Sequence, residues 1–246
     1  RSTLFPYTTL FRSTNLCAFF VLIMWLLIAT EDKSDYFMDY YNAVYHRRYF
    51  MLLYLSAFLL GLPQLCDDLL TGGIIIRYGS LKQVMWNLQI RNAKYCFMVT
   101  GIMCITNIIA TLLFCNKFHF SMLSFYVFLG LAFILQWIGW MLICNTYILL
   151  RILCRSNIVA WIATVIVIGL PAQYMGTVDV VSQKEYLLSI YKGMFIIAGN
   201  NSMEVMMHGI YFVVLQTTIV CLGYLKLKGI DFLEKKMFKH NERLFR

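Results

Sequence analysis

The sequence predicts an all-α, polytopic membrane protein. Three observations carry this: six long apolar runs, an uneven distribution of Lys and Arg among the connections between them, and no polar stretch long enough to fold as a separate soluble domain. The apolar runs cover residues 16–29, 50–66, 95–115, 121–150, 158–175 and 205–225. Most of them reach or approach the ~20 residues that a helix needs to cross a ~30 Å hydrocarbon core.

The charge distribution sets an expected orientation. If the N-terminus lies inside, six crossings leave 67–94, 151–155 and the tail from 226 inside, and these segments carry thirteen Lys/Arg against five acids. The opposite connections carry six Lys/Arg against seven acids, and Arg1 and Arg12 complete the net +9. Both termini are therefore expected in the cytoplasm. Positive charge that flanks apolar spans faces anionic lipid, so it gives no reason to expect nucleic-acid binding.

Three parts of the chain are expected: 1–13, 14–225 and 226–246. The first, RSTLFPYTTLFRS, resembles a translated sequencing adapter and is expected to be non-native. The apolar run after it, at about 15 residues, is short for a crossing, as though the first native helix had lost its start. Residues 14–225 form the six-helix domain, in which Pro63 and Pro171 fall near the ends of the second and fifth runs, where a ring removes one backbone hydrogen bond and can kink a helix. The last part, 226–246, is a basic tail.

Two non-spanning segments carry more information. The connection 67–94 is far longer than a bundle turn requires. Gly72 and Gly73 break the arriving helix. After Gly79, the residues Leu81, Val84, Met85, Leu88 and Ile90 form an apolar stripe opposite Lys82, Gln83, Asn87, Gln89 and Arg91, with Ser80 placed to cap the start. A basic amphipathic helix bearing Trp86 is expected to lie on the membrane surface or in a partner's groove. The second segment, 177–204, has an apolar middle at 186–198 that is too short to cross and is expected to be a short outer helix ending at Gly199.

Polar groups inside spans mark a transport path or intramembrane chemistry, because burying them in lipid is costly. Here they are Asn107, Gln136, Asn145, His208 and Gln216, with no Asp, Glu, Lys or Arg at any span centre. That argues against proton- or ion-coupled transport. Glu204 and His208 stand four apart and could pair across one helix face. No protease motif occurs, and the eight cysteines form no CxxC pair and have no His at zinc-ligand spacing, so neither a catalytic site nor a metal is expected.

Six spans with both ends inside, a long basic second-to-third connection reading IRYGSLKQVMWNLQIRNAKY and a short apolar hairpin before the last span resemble the permease subunits of type-2 ATP-binding-cassette (ABC) exporters. The nearest are small bacterial permeases linked to export of lantibiotics and other antimicrobial peptides, or to self-protection against them. The resemblance covers most of 14–246, and the amphipathic helix often found before the first span is missing.

The resemblance implies that the inner connection docks on a separate ABC ATPase subunit through Arg77, Tyr78, Gly79, Lys82, Trp86 and Arg91. It implies that the outer hairpin contains Tyr186, Phe195 and Gly199. No GxxxxGK[ST] loop occurs, so ATP is expected on the partner subunit and this chain is not expected to be an enzyme. The expected function is to move or extract an amphipathic peptide antibiotic or lipid-like substrate in a bacterial plasma membrane, as a homodimer or paired with a similar permease. The alternative is a non-transporting membrane protein for toxin immunity or scaffolding.

Overall fold

The computed structural model describes residues 15–27, 37–70, 80–114, 122–174, 190–195 and 202–244, and among these there is no strand. The helices are α1 (Asn15–Leu27), α2 (Phe37–Val44), α3, α4 (Leu81–Phe114), α5 (Met122–Cys154), α6 (Asn157–Tyr174), α7 (Ile190–Phe195) and α8 (Ser202–Leu244). The third is composite, with Arg47–Tyr49, a wider π-wound turn Phe50–Leu55 and Ser56–Leu70 following one another without a break.

Three stretches are long and apolar enough to cross a membrane: Leu81–Leu113, Phe125–Cys154 and Val205–Gly229. Three shorter apolar helices, Asn15–Leu27, Phe50–Pro63 and Asn157–Pro171, fall on the remaining apolar runs of the sequence. Pro63 and Pro171 both lie inside their helices.

Helix α5 is the hub. It packs on α3, α4, α6, α7 and α8 and buries Leu142, Ile143, Cys144 and Tyr147 completely. Its direction against α4 is antiparallel: Gln89 and Asn92 meet Asn145, while Phe97, further along α4, meets Phe133 and Trp137. A two-residue turn then reverses the chain into α6. Arg155 sits there at φ 55°, in the left-handed region that ends many helices, and its N–H returns to the Arg151 carbonyl at 2.9 Å. Helix α8 runs parallel to α5, because Gly209 lies beside Leu135 and Gly223 beside Ile152.

Two helices are longer and more continuous than the apolar runs alone indicate. The amphipathic segment after Ser80 is the first turns of α4 and not a separate element. Its 34 residues, about 51 Å at 1.5 Å per residue, run from Leu81 to Phe114 without interruption. The physical reason is the lack of a breaker, since no Pro occurs and the only Gly is Gly101. Ser80 caps this helix, its Oγ accepting the Gln83 N–H at 3.3 Å. The segment after 225 likewise continues α8 to Leu244, giving 43 residues and about 65 Å.

Candidate functional site

The polar side chains of the bundle gather in two nodes joined by stacked aromatic rings. The first node is organised by α2, which carries Phe37, Tyr41 and Val44 on one stripe with Tyr45 just beyond, all buried. Tyr41 Oη accepts a hydrogen bond from Gln136 Nε2 of α5 at 2.9 Å. Tyr45 Oη accepts one from Asn107 Nδ2 of α4, whose Oδ1 in turn accepts Trp25 Nε1 of α1 at 2.9 Å. Asn107 thus ties three helical segments together with one amide.

The open carbonyls at the end of α2 are capped by hydroxyls from other elements. Tyr54 of α3 donates to the Val44 carbonyl at 3.2 Å, and Tyr191 of α7 donates to the Tyr45 carbonyl. From here the aromatic rings run through the interior. Tyr45 stacks on Phe195 at 4.6 Å, Phe195 meets Phe50 at 5.4 Å, Phe50 meets Trp140 at 5.9 Å, Trp140 lies 4.4 Å from Phe58, and Phe58 stacks on Tyr95 at 5.1 Å. Tyr95 closes the series by donating to the Phe58 carbonyl at 2.9 Å.

The second node lies near the α5–α6 turn. Asn145 Oδ1 accepts Gln89 Nε2 at 2.9 Å and, weakly, Asn92 Nδ2 at 3.5 Å. Asn92 Oδ1 and Asn145 Nδ2 are buried without a hydrogen-bond partner among the described residues. Both nodes consist of neutral amides, phenols and indoles, groups that hold geometry and do not exchange protons near neutral pH.

Burial pushes the Tyr41 and Tyr45 hydroxyls well above the ordinary value of 10.0, the neighbouring phenols Tyr45 and Tyr54 adding to the rise and the Gln136 and Asn107 amides opposing it. A raised folded value means that the stabilisation is complete below the unfolded value and is lost as pH climbs above it. Unfolding in mixed micelles is therefore expected to show no pH dependence from these tyrosines up to about pH 10 and a falling stability beyond it. Tyr41→Phe and Tyr45→Phe should each flatten that fall, and an unchanged alkaline slope in both variants would contradict it.

Helix α7 is held between its neighbours by glycine notches. A Cβ on Gly139 of α5 would lie 2.2 Å from Met194 Cγ, and one on Gly193 would lie 2.5 Å from Phe212 Cζ of α8. Tyr191, Met194 and Phe195 are buried, so this six-residue helix is packed into the bundle. A third notch, Gly169 on α6, receives the end of Met51 from the π-wound turn.

Of the residues singled out by the sequence, Asn107 and Gln136 belong to the first node, Asn145 to the second and Phe195 to the aromatic series. His208 is buried near the start of α8, and Gln216 is half-buried two turns further along. Lys82, Trp86 and Arg91 are exposed on the first turns of α4, where Val84, Met85 and Leu88 are buried. Arg77, Tyr78, Gly79, Tyr186 and Gly199, and the Glu204 side chain, lie outside the described residues.

Trp25, Tyr41, Tyr45, Asn92 and Trp140 are functional positions that the sequence does not single out, and Gln89, expected on a polar helix face, turns inward to Asn145. A signal for two of them was present, since Phe37, Tyr41 and Tyr45 recur every four residues in a connection otherwise read from its charges alone. Two grooves open between α5 and α8: one of about 540 Å³ lined by residues such as Leu131, Ile138, Met206 and Val213, and one of about 410 Å³ near the α5–α6 turn. Among the described residues no three His, Cys, Asp or Glu side chains come together as a metal-holding group. Comparison with protein-family models, curated proteins and solved structures finds no match for this chain.

Proposed function

We propose that this chain is the six-span permease subunit of an ABC transporter, with both termini in the cytoplasm, working with a separate ATPase to move or extract an amphipathic substrate such as a peptide antibiotic or lipid-like molecule. The observation that carries the reading is α4. Its exposed first turns present Lys82, Gln83 and Trp86, the last 66% exposed, and the same unbroken helix carries Asn92 and Asn107 of the two nodes. A continuous rod with a docking face at one end and the bundle's polar contacts further along is what transmits a partner's motion into spans.

The six helices on six apolar runs support the crossing count, and the parallel course of α5 and α8 fits a single return crossing by α6 between them. The second reading, a non-transporting immunity or scaffolding protein, is favoured by one feature: Asn107, Gln136, Tyr41 and Tyr45 spend their hydrogen bonds on each other.

Affinity purification of the full chain from its native membrane separates the two readings. The permease reading expects an ATPase with a phosphate-binding loop to co-purify, and Trp86→Ala or Lys82→Glu to reduce its recovery at least about five-fold, the worth of roughly 1 kcal/mol or more at an interface anchor. Absence of any such ATPase, with protection against a toxin unchanged in both variants, would establish the alternative.

A further inference from the structure

The smaller of the two grooves has a composition of its own. Leu149 and Leu153, one turn apart on α5, wall one side; Leu222 and Leu225 of α8 wall the other, and Lys226 completes the lining. The three leucines Leu153, Leu222 and Leu225 are exposed, so this is an open slot along the two helices and not an enclosed cavity. Its volume of about 410 Å³ falls in the range of small-molecule sites, roughly 300–1,000 Å³.

Charge distinguishes this end of the bundle. Within 149–157 and 222–229 stand Arg151, Arg155, Lys226 and Lys228, with no Asp or Glu. Lys226 is exposed, and among the described side chains, which on α8 end at Gly229, it makes no hydrogen bond or ion pair. The larger groove, between Leu131–Ile138 and Val205–Val214, is lined by apolar residues and glycine alone and has no such cation. A slot that is apolar along its length and cationic at one edge complements a molecule built the same way with opposite charge. A second copy of this chain docked symmetrically would bring one cationic rim against another, which like-charge repulsion disfavours.

We infer that this groove is a binding site for one anionic phospholipid, its acyl chain lying against Leu149, Leu153, Leu222 and Leu225 and its phosphate oxygens meeting the Lys226 ammonium. The inference rests on the membrane placement proposed above and is independent of any ATPase partnership. A zwitterionic lipid supplies the same tail, but its own cation offsets the attraction to Lys226, so the site selects by headgroup.

Native mass spectrometry of the full chain, released from micelles doped with equimolar phosphatidylglycerol and phosphatidylcholine, tests this. The wild type should retain phosphatidylglycerol in preference. Lys226→Gln should weaken that retention about five-fold, the worth of one cation near a lipid surface. Leu222→Trp, which fills the slot from an exposed position, should reduce retention of both lipids. Lys228→Gln should leave the preference largely unchanged, because two residues along α8 turn that side chain about 160° away from Lys226. Equal retention of the two lipids, undiminished preference in Lys226→Gln, or displacement of the lipid by inorganic phosphate alone would overturn the site. Membrane extraction run in parallel keeps the two ideas apart: a chain washed off by carbonate overturns the membrane placement and the site together, whereas a carbonate-resistant chain without headgroup preference overturns the site alone.

Discussion

Trp140→Ala is expected to cost about 3–5 kcal/mol of stability, the range for deleting a fully buried large aromatic ring. Trp140 is 0% exposed and contacts Phe50, Phe58 and Phe195, so the cavity left behind would be bounded by rigid rings that cannot collapse into it. Trp140→Phe tests the same position with a much smaller void. The indole Nε1 is buried with no hydrogen-bond acceptor among the described residues, so the phenyl ring gives up some contact area but also removes that donor. Its cost should stay below about 1.5 kcal/mol. Unfolding in mixed detergent micelles followed by circular dichroism measures both, and equal losses in the two variants would refute this account of the aromatic interior.

Gly139→Ala is expected to cost about 2–3 kcal/mol, at the upper end for overpacking. The new methyl would lie 2.2 Å from Met194 Cγ and 2.5 Å from Sδ. Because Cγ is close to the backbone of α7, a rotation at the far end of the side chain cannot relieve the clash, and α7 itself must move away from α5. Adding Met194→Ala in the same chain removes the obstacle, so the double variant should recover about 1–2 kcal/mol relative to the sum of the single changes. Additive losses would mean that Met194 does not occupy the Gly139 notch.

Much of the helical plan was legible because composition alone encodes it. Six apolar runs correspond to six apolar helices, and Ser80 announced the start of α4 by its residue type. The extent of α4 was less legible, because the drop in apolarity at Arg91, Asn92 and Lys94 reads as a boundary although nothing in it stops a helix. Asn107, Gln136 and Asn145 could be found as polar residues in apolar surroundings, but their partners could not. Tyr45 and Asn107 are 62 residues apart, and Gln136 and Tyr41 are 95 apart, so pairing depends on how the helices pack. The notches at Gly139 and Gly193 are invisible for the same reason, since a glycine shows only in space which side chain it admits.

The π-wound turn in α3 has a mechanical consequence. Within Phe50–Leu55 the helix carries a residue more per turn than its continuation, and the Ser56 hydroxyl donates to the Met51 carbonyl at 3.3 Å. Such a dislocation in winding cannot fade gradually. It can only be passed along the helix in whole-residue steps, each turning one half against the other by about 100° and sliding it about 1.5 Å. With Phe50 seated among Trp140, Tyr191 and Phe195, and Met51 against Gly169, the fault is pinned where it stands, so α3 is a ratchet tooth held by its neighbours and not a straight strut.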